Sequence, residues 1–279
     1  MNRERLTITL RDDILDGVDK LVDGIKIRNR SHAIEVLLAK ILAGGRIKKA
    51  LILAGGEGSR MRPFTYEMPK GLIPVQGKPL LQHILELLRK SELRDVIISI
   101  GYMGEKIKEY FGNGSKFGLN ISYVEEKEPL GTAGCLRLAK EHLKEPFLMF
   151  NGDVIANINL PDMVSFHEEN NAIATIALTP VEDPSRYGMA HLRGPKILSF
   201  EEKPKKKKGE PQLVNAGIYI LNPEVIDYLP NGKSMMETDL FPKLAKEGKL
   251  FGYPFEGQWF DTGTPQAYER AIKKWKPLP

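Results

Sequence analysis

A short apolar run that leads directly into a glycine-rich loop constrains this chain of 279 residues more than any other feature. Residues 49–53 are mostly apolar, and three of the four positions 55–58 are glycine. Because glycine has no side chain, the backbone N–H groups of such a loop can approach a phosphate closely. Arg60 and Arg62 follow the loop and add positive charge. The pattern predicts a buried strand that ends in a phosphate-binding turn.

This loop departs from two familiar phosphate-binding patterns. A dinucleotide loop of the Rossmann type needs a third glycine where Met61 stands, and Pro63 obstructs an immediate long helix. A Walker loop needs Gly-Lys-Ser or Gly-Lys-Thr, which the loop does not contain. The alternative to a ligand site is a tight turn between a strand and a helix.

Strands and helices alternate along residues 47–279. Unbroken apolar runs separated by helical patterns predict an α/β fold with a parallel sheet that is covered on both faces. The predicted strands are 49–53, 96–100, 121–124, 147–150, 172–180, 196–202, 214–221 and 250–260, and the main predicted helices are 79–93, 131–143 and 264–274. The four lysines at 205–208 are expected to lie in a solvated loop.

Residues 1–46 form a separate predicted domain. Residues 5–11 alternate polar and apolar side chains as a half-buried strand does, and apolar stripes predict two helices. The first helix begins at Asp12, and the second is capped by Asn29 or Ser31. A unit of this size cannot bury its apolar faces alone, and a single strand has two open edges. We therefore expect a homodimer, or a larger oligomer, through this domain.

This N-terminal stretch resembles the ribbon-helix-helix family. The resemblance covers residues 5–42 and depends on the strand sequence RLTITL and on NRSHAIE at 29–35. It implies a strand that pairs with a second chain and enters the DNA major groove, and a phosphate at the start of the second helix. The residues that would contact DNA are Arg5, Thr7, Thr9, Asn29 and Ser31. Residues 1–46 contain 9 basic and 7 acidic side chains, an excess of only +2, so a dimerisation arm without DNA is the alternative.

Cysteine count, hydropathy and charge limit the environment of the chain. One cysteine, Cys135, excludes an intrachain disulfide and favours a reducing compartment, so we expect a cytoplasmic location. No apolar run approaches the ~20 residues that span a bilayer, so no membrane partner is expected. The net charge of +5 allows an anionic ligand but does not by itself indicate nucleic acid binding.

Seven motifs make the larger domain resemble the sugar-1-phosphate nucleotidyltransferases. They are LAGGEGSRMRPFT at 53–65, MPK at 68–70, EPLGTAG at 128–134, NGDV at 151–154, FEEKP at 200–204, NAGIY at 215–219 and WFDTG at 259–263. EPLGTAG and NAGIY are most similar to the mannose-1-phosphate guanylyltransferase branch. The resemblance implies a Rossmann-like sheet that is mixed but mostly parallel.

The reaction that the resemblance implies needs little from the protein beyond positioning and charge. An oxygen of the sugar-1-phosphate attacks the α-phosphorus of a nucleoside triphosphate, and pyrophosphate leaves. Because the attacking phosphate is already ionised, neither a side-chain nucleophile nor a general base is required.

The resemblance also implies roles for individual residues. Arg60, Lys70 and Asp153 would be catalytic, and the two cations would offset charge on the α-phosphate and on the leaving pyrophosphate. Asp153 and Asp261 would hold Mg²⁺, which favours a few carboxylates together with phosphate oxygens and water. Gly71 departs from the family's pattern and could loosen the loop that carries Lys70. The nucleotide would be bound by Leu53, Ala54, Gly55, Gly56, Gly58, Ser59, Arg60, Glu126, Gly131 and Thr132, and the sugar phosphate by Gly188, Glu202, Lys203 and Asn215.

Glu126 is the candidate residue for reading the base. A carboxylate only accepts hydrogen bonds, and guanine offers N1–H and N2–H₂ side by side, whereas uracil and thymine place carbonyls beside one N–H. GTP is therefore favoured, with Glu125 or main-chain groups as the alternative readers. Mannose-1-phosphate and glucose-1-phosphate both stay open, and so does a glucose-1-phosphate uridylyl- or thymidylyltransferase. A different class also stays open, namely a DNA-binding regulator whose larger domain senses a sugar nucleotide.

Overall fold

The chain divides into two compact units, residues 1–46 and residues 47–279. The structure is a computed structural model, and it describes residues 6–25, 27–42, 47–205 and 211–277. Arg5, a predicted DNA contact, and the lysines at 206–208 lie outside the described residues.

The described residues of the first unit form two helices. They are α1, Asp12–Leu21, and α2, Arg30–Leu42. The predicted cap of α2 is made by Asn29, whose Oδ1 accepts a hydrogen bond from the backbone N–H of His32 at 2.9 Å. Arg30 and Asp19 link the two helices through an exposed ion pair with an N–O distance of 2.6 Å.

The strand predicted at 5–11 is not confirmed. The described part of this segment, residues 6–11, belongs to no strand of the structure, and the ribbon-helix-helix interpretation is therefore also not confirmed. The physical reason is that a strand is stabilised by hydrogen bonds to a neighbouring strand, and the pattern of this unit offers only one. Four predicted DNA contacts lie on exposed positions, namely Thr7, Thr9, Asn29 and Ser31.

The second unit is built on a sheet of nine strands within the described residues, in the order β5-β4-β1-β6-β11-β8-β12-β10-β9. Two further two-stranded sheets pair β13 with β7 and β2 with β3. The strands are β1 Lys49–Ala54, β2 Pro74–Val75, β3 Lys78–Pro79, β4 Asp95–Ile100, β5 Asn120–Glu125, β6 Phe147–Asn151, β7 Val154–Ala156, β8 Ala174–Val181, β9 Gly188–Arg193, β10 Lys196–Glu202, β11 Gln212–Leu221, β12 Leu250–Pro254 and β13 Trp259–Asp261.

In the part of the chain that the structure describes, the nine-stranded sheet is mixed, with four parallel and five antiparallel neighbour pairs, so the prediction of a mostly parallel sheet is confirmed only for its first four strands. Strands β5, β4, β1 and β6 are parallel neighbours, and β12 is parallel to β8. Strand β11 runs antiparallel to β6 and β8, and β10 runs antiparallel to β12 and β9. Strand β9 also pairs with β11, so the last five strands of the order close on themselves.

Helices cover both faces of the sheet and enclose two apolar clusters. The helices of this unit are α3 Leu80–Lys90, α4 Gly104–Phe111, α5 Gly131–Leu138, α6 Leu160–Glu169, α7 Phe241–Lys246 and α8 Pro265–Lys274. Because alternate residues of a strand face opposite sides, Ile52 packs with α3, α4 and α6, whereas its neighbour Leu51 packs with α5 and α7. The core therefore holds β1 rigidly from both sides.

Two predicted elements differ in extent from the structure. The strand predicted at 250–260 is two strands, because the chain leaves the main sheet after β12 and pairs with β7 through β13. The helix predicted at 131–143 ends at Leu138, and a 3₁₀ turn follows at Lys140–His142. The first difference matters for the site, since it places Asp261 opposite Val154, one residue after Asp153.

Candidate active site

A cavity of about 470 Å³ lies where strands β1 and β6 end. All ten residues predicted to bind nucleotide line it, together with Lys70 and Asp153. Ligands of open α/β sheets bind at the carboxyl ends of the strands, and this cavity has that position.

Close backbone contacts build the floor of the cavity. The Gly152 N–H donates to the Leu53 carbonyl at 2.9 Å, and a Cβ atom on Gly152 would lie 2.3 Å from that oxygen. Only glycine therefore lets the end of β6 approach the end of β1. Gly58 has φ +62°, and its carbonyl accepts a hydrogen bond from the Thr65 hydroxyl at 2.9 Å, which fixes the turn of the glycine-rich loop.

Lys70 and Asp153 form a tight ion pair at the edge of the cavity. The Lys70 Nζ lies 2.5 Å from Asp153 Oδ2, and the two side chains are 13% and 28% exposed. Burial on its own would raise the pKa of Asp153, but the positive charges of Lys70 and Arg60 outweigh it and hold that pKa below its ordinary value. Asp153 is thus an ionised carboxylate beside two cations.

Asp261 is brought to the same place by the β7–β13 pair. The backbone N–H and the hydroxyl of Thr262 both donate to the Asp153 carbonyl, at 2.9 and 2.7 Å. Burial and the negative charge of Asp153 raise the pKa of Asp261. A Cβ atom on Gly263 would lie 3.2 Å from the Arg60 guanidinium, so Arg60 passes over the turn that follows Asp261. The four charged groups predicted for catalysis and metal binding therefore lie in one region.

Comparison with known proteins agrees with this geometry. The model of the family described as Nucleotidyl transferase matches residues 49–276. The chain belongs to the nucleotidyl transferase family.

Named relatives show which members this nucleotidyl transferase is similar to. The mannose-1-phosphate guanyltransferase of Yarrowia lipolytica is 42% identical over 229 residues, which cover 79% of this chain and 62% of the relative. Among solved structures, HddC from Yersinia pseudotuberculosis complexed with GMP-PN has a TM-score of 0.71 at 26% identity and covers 82% of this chain and 100% of its own. A UDP-glucose pyrophosphorylase complexed with UDP-glucose has a TM-score of 0.71 at 25% identity and covers 81% of this chain and 97% of its own. The chain thus spans about 62% of the length of the curated relatives it matches first.

The donor set of this nucleotidyl transferase suits a magnesium ion that shares its coordination with phosphate. Within the described ranges, no group of three or more His, Cys, Asp or Glu side chains could hold a metal ion on its own. Asp153 and Asp261 interact strongly enough for the charge of one to raise the pKa of the other. Two such carboxylates fit Mg²⁺, which takes its remaining ligands from phosphates and water.

Glu126 lines the cavity and also holds the loop that follows it. Its Oε1 accepts a hydrogen bond from the Ser99 hydroxyl at 2.6 Å, and its Oε2 accepts one from the Leu130 N–H at 3.2 Å. A carboxylate has about four acceptor sites, so these two bonds leave acceptor sites that the predicted contact with a base would use.

The residues predicted to bind the sugar phosphate lie around strands β9, β10 and β11. Gly188 pairs with Glu202 across β9 and β10, and the Lys203 Nζ lies 3.2 Å from Glu202 Oε1. The Asn215 amide donates to the Tyr219 hydroxyl and accepts from a backbone N–H, both at 2.9 Å. The structure brings Gly188, Glu202 and Lys203 together, but these residues do not line the cavity that holds the glycine-rich loop.

Several residues in or near the cavity are not among the predicted site residues. Ser99, Asn151 and Met235 contact Glu126 or line the cavity, and Glu237 binds the hydroxyl of Thr132. Asn151 lies inside the NGDV motif and could have been found there. The other three lie in a plain apolar strand and in a segment far from the glycine-rich loop, so sequence pattern alone could not place them.

Gly71, which departs from the family's pattern, has a packing explanation. A Cβ atom at this position would lie 2.6 Å from Leu81 Cδ1. The glycine lets the short helix that begins at Lys70 pack directly on α3, so the loop that carries Lys70 is buried against a rigid element.

The helices can be compared with the length and apolar character that a membrane-spanning helix needs. In the ranges that the structure describes, none of them combines the length and the apolar character needed to cross a bilayer.

Proposed function

We propose that this protein transfers a nucleotidyl group from a nucleoside triphosphate to a sugar-1-phosphate and releases pyrophosphate. One observation carries the proposal: all ten residues expected to bind nucleotide line one cavity, together with Lys70 and Asp153. The named guanyltransferase relative supports the same reaction class.

The charges around the cavity suit the transition state of this reaction. Arg60 and Lys70 would interact with the α-phosphate and with the leaving pyrophosphate, where negative charge develops. The glycine-rich loop would hold the triphosphate through its N–H groups. A Mg²⁺ ion bound by Asp153 and Asp261 would offset further phosphate charge.

We further propose GTP as the preferred triphosphate and mannose-1-phosphate as the preferred acceptor. Glu126 presents acceptor oxygens only, which pair with the adjacent donors of guanine. The name of the relative at 42% identity supports both choices. Glucose-1-phosphate with UTP or dTTP is the alternative, and the similarity to a UDP-glucose pyrophosphorylase structure favours keeping it.

For the first unit we propose self-association through its apolar side chains. Its described residues bury Val18 and Ala33, whereas Ile14, Leu21 and Leu38 are between 42% and 45% exposed. Covering such side chains with a second copy removes apolar surface from water. DNA binding is the competing role, and an electrophoretic shift assay over a salt series tests it, because phosphate contacts weaken steeply with salt. The single cysteine supports a cytoplasmic location as part of this proposal.

A pyrophosphate-release assay tests the catalytic proposal. GTP, UTP, dTTP, ATP and CTP are each paired with mannose-1-phosphate and glucose-1-phosphate in the presence of Mg²⁺. We expect the fastest release with GTP and mannose-1-phosphate, loss of release after chelation, and recovery with excess Mg²⁺. Release from none of the pairs would overturn the proposed function, and full activity in the chelator would overturn the metal assignment.

A further inference from the structure

Ser234 is hydrogen-bonded to the loop that leads into α5 and to the first turn of that helix. The Ser234 N–H donates to the Leu130 carbonyl at 2.9 Å, and the Ser234 carbonyl accepts from the N–H groups of Ala133 and Gly134 at 3.0 and 3.3 Å. A Cβ atom on Gly131, which has φ +78°, would lie 2.4 Å from the Ser234 carbonyl oxygen. The loop that lines the nucleotide cavity is therefore shaped by residues about 100 positions later.

Directly after this segment the chain forms a single turn of π-helix, Met236–Leu240. Such turns are rare in proteins, and those that occur often lie at functional sites. This one points Glu237 at the loop, and the Thr132 hydroxyl donates to Glu237 Oε2 at 2.7 Å. The same hydroxyl oxygen accepts a hydrogen bond from the Met236 N–H at 2.9 Å.

Hydrogen-bond accounting shows what Thr132 can offer a ligand. A hydroxyl group has one donor and two acceptor sites. Glu237 takes the donor and Met236 takes one acceptor site. The remaining site is a lone pair, so the hydroxyl can accept from a ligand and cannot donate to one. Phosphate oxygens are acceptors, whereas the ribose hydroxyls and the base N–H groups of a nucleotide are donors.

Glu237 keeps this arrangement in a largely buried setting. Burial raises the pKa of Glu237, and the hydrogen bond from Thr132 acts against that rise. The charges of Glu202 and Lys203 also reach it, with opposite effects on the same pKa. The hydrogen bond between the Thr132 hydroxyl and Glu237 Oε2 therefore lies in a largely buried setting, where each side chain fixes the orientation of the other.

We propose that Glu237 is a positioning residue for the nucleoside part of the substrate. By accepting the Thr132 O–H it turns the free lone pair of that hydroxyl toward the cavity, where it accepts from a ribose hydroxyl or a base N–H. The inference deepens the proposed nucleotidyl transfer and depends on it for the identity of the ligand.

Equilibrium binding to the full-length protein tests this assignment without turnover. GTP and inorganic pyrophosphate are titrated separately, with Mg²⁺ and without sugar-1-phosphate, into the parent, Glu237→Ala, Glu237→Gln, Thr132→Val and the double variant Glu237→Ala with Thr132→Val. Glu224→Ala is the matched control, because Glu224 is an exposed carboxylate of a neighbouring short helix. Thermal melting of every variant monitors folding.

We expect Glu237→Ala and Thr132→Val each to weaken GTP binding about tenfold, the size of a lost hydrogen bond that involves a charge. The double variant should bind GTP about as well as either single variant, because both remove the same interaction. Glu237→Gln retains an acceptor oxygen and should recover part of the affinity. Pyrophosphate binding should stay unchanged, since it has no nucleoside. In turnover, KM for GTP should rise more than kcat falls.

Unchanged GTP affinity in Glu237→Ala, or additive losses in the double variant, would overturn the inference. So would an equal loss of pyrophosphate affinity, which is expected if Glu237 only supports the fold. If Glu237→Ala does not fold, Glu237→Gln and Thr132→Val decide the same question. GTP binding without any turnover would overturn the proposed function alone, and a parent that binds no triphosphate would overturn both.

Discussion

The two units of this chain bury their apolar side chains to very different degrees. In residues 47–279 the sheet carries a continuous apolar cluster on each face, and both clusters are closed by helices of the same unit. In the described part of residues 1–46, Val18 and Ala33 are buried, whereas Leu6 and Ile25 are 79% and 86% exposed. The larger unit buries its apolar side chains within itself, whereas the described part of the smaller one leaves several large apolar side chains exposed.

The largest expected effect is the loss of turnover in an Asp153 variant, which tests whether residues 47–279 contain all of the catalytic residues. Asp153→Ala should lower kcat by about 10²-fold or more, because the charge stabilisation from a metal ion is worth several kcal/mol. The factor should be the same in the full chain and in residues 47–279 alone. Pyrophosphate release at saturating substrates measures it, with the exposed Asp227→Ala as the control. Near-normal turnover with Mg²⁺ in Asp153→Ala would contradict the metal assignment.

A second effect concerns how the larger unit selects its base. The parent should prefer GTP over UTP and dTTP by about 10–100-fold in kcat/KM, and Glu126→Gln should reduce that preference, because an amide can donate to a carbonyl. Glu125→Gln is the matched control on the adjacent, exposed carboxylate. A parent that prefers UTP would make the base assignment wrong. If Glu125→Gln alone shifted the preference, the neighbouring carboxylate would be the reader.

Removing residues 1–46 should separate the two units with little effect on the reaction. Every motif of the nucleotidyl transferase family follows Lys49, so kcat and KM should stay within about twofold, the small effect expected of changes away from a site. Light scattering of the full chain should show at least a dimer through the removed unit. If a fragment of residues 1–46 is folded and monomeric on its own, the proposal that this unit self-associates through its apolar side chains is wrong.

The smallest expected effect lies within the first unit. Asn29→Ala removes the side-chain cap of α2 and should cost about 1 kcal/mol of helix stability, whereas Asn29→Ser should cost less. Hydrogen exchange of the backbone amides of residues 32–38 measures the loss, and kcat should not change. Equal exchange in the parent and in Asn29→Ala would show that the exposed α2 is held by contacts other than its cap.

Sequence pattern places the parts of this fold that short stretches of chain determine. The apolar runs give the strands, and the glycine positions give the turn at Gly58, because those signals are local. The division of 250–260 into two strands could not be predicted from local pattern, because β13 is defined by its pairing with β7, about 100 residues earlier. The role proposed for Glu237 could not be predicted for the same reason. It depends on a hydrogen bond with Thr132, and no sequence spacing links these two residues.

The contact between Gly152 and Leu53 has a mechanical consequence. Because the end of β6 is bonded to the end of β1 at a separation that admits no side chain, the glycine-rich loop and the Asp153 carboxylate share one rigid base. The spacing between the glycine-rich loop and the Asp153 carboxylate is therefore set when the chain folds. If a triphosphate binds in this cavity as proposed, it would find these groups already in place, so the entropy cost of bringing them together would be met when the chain folds.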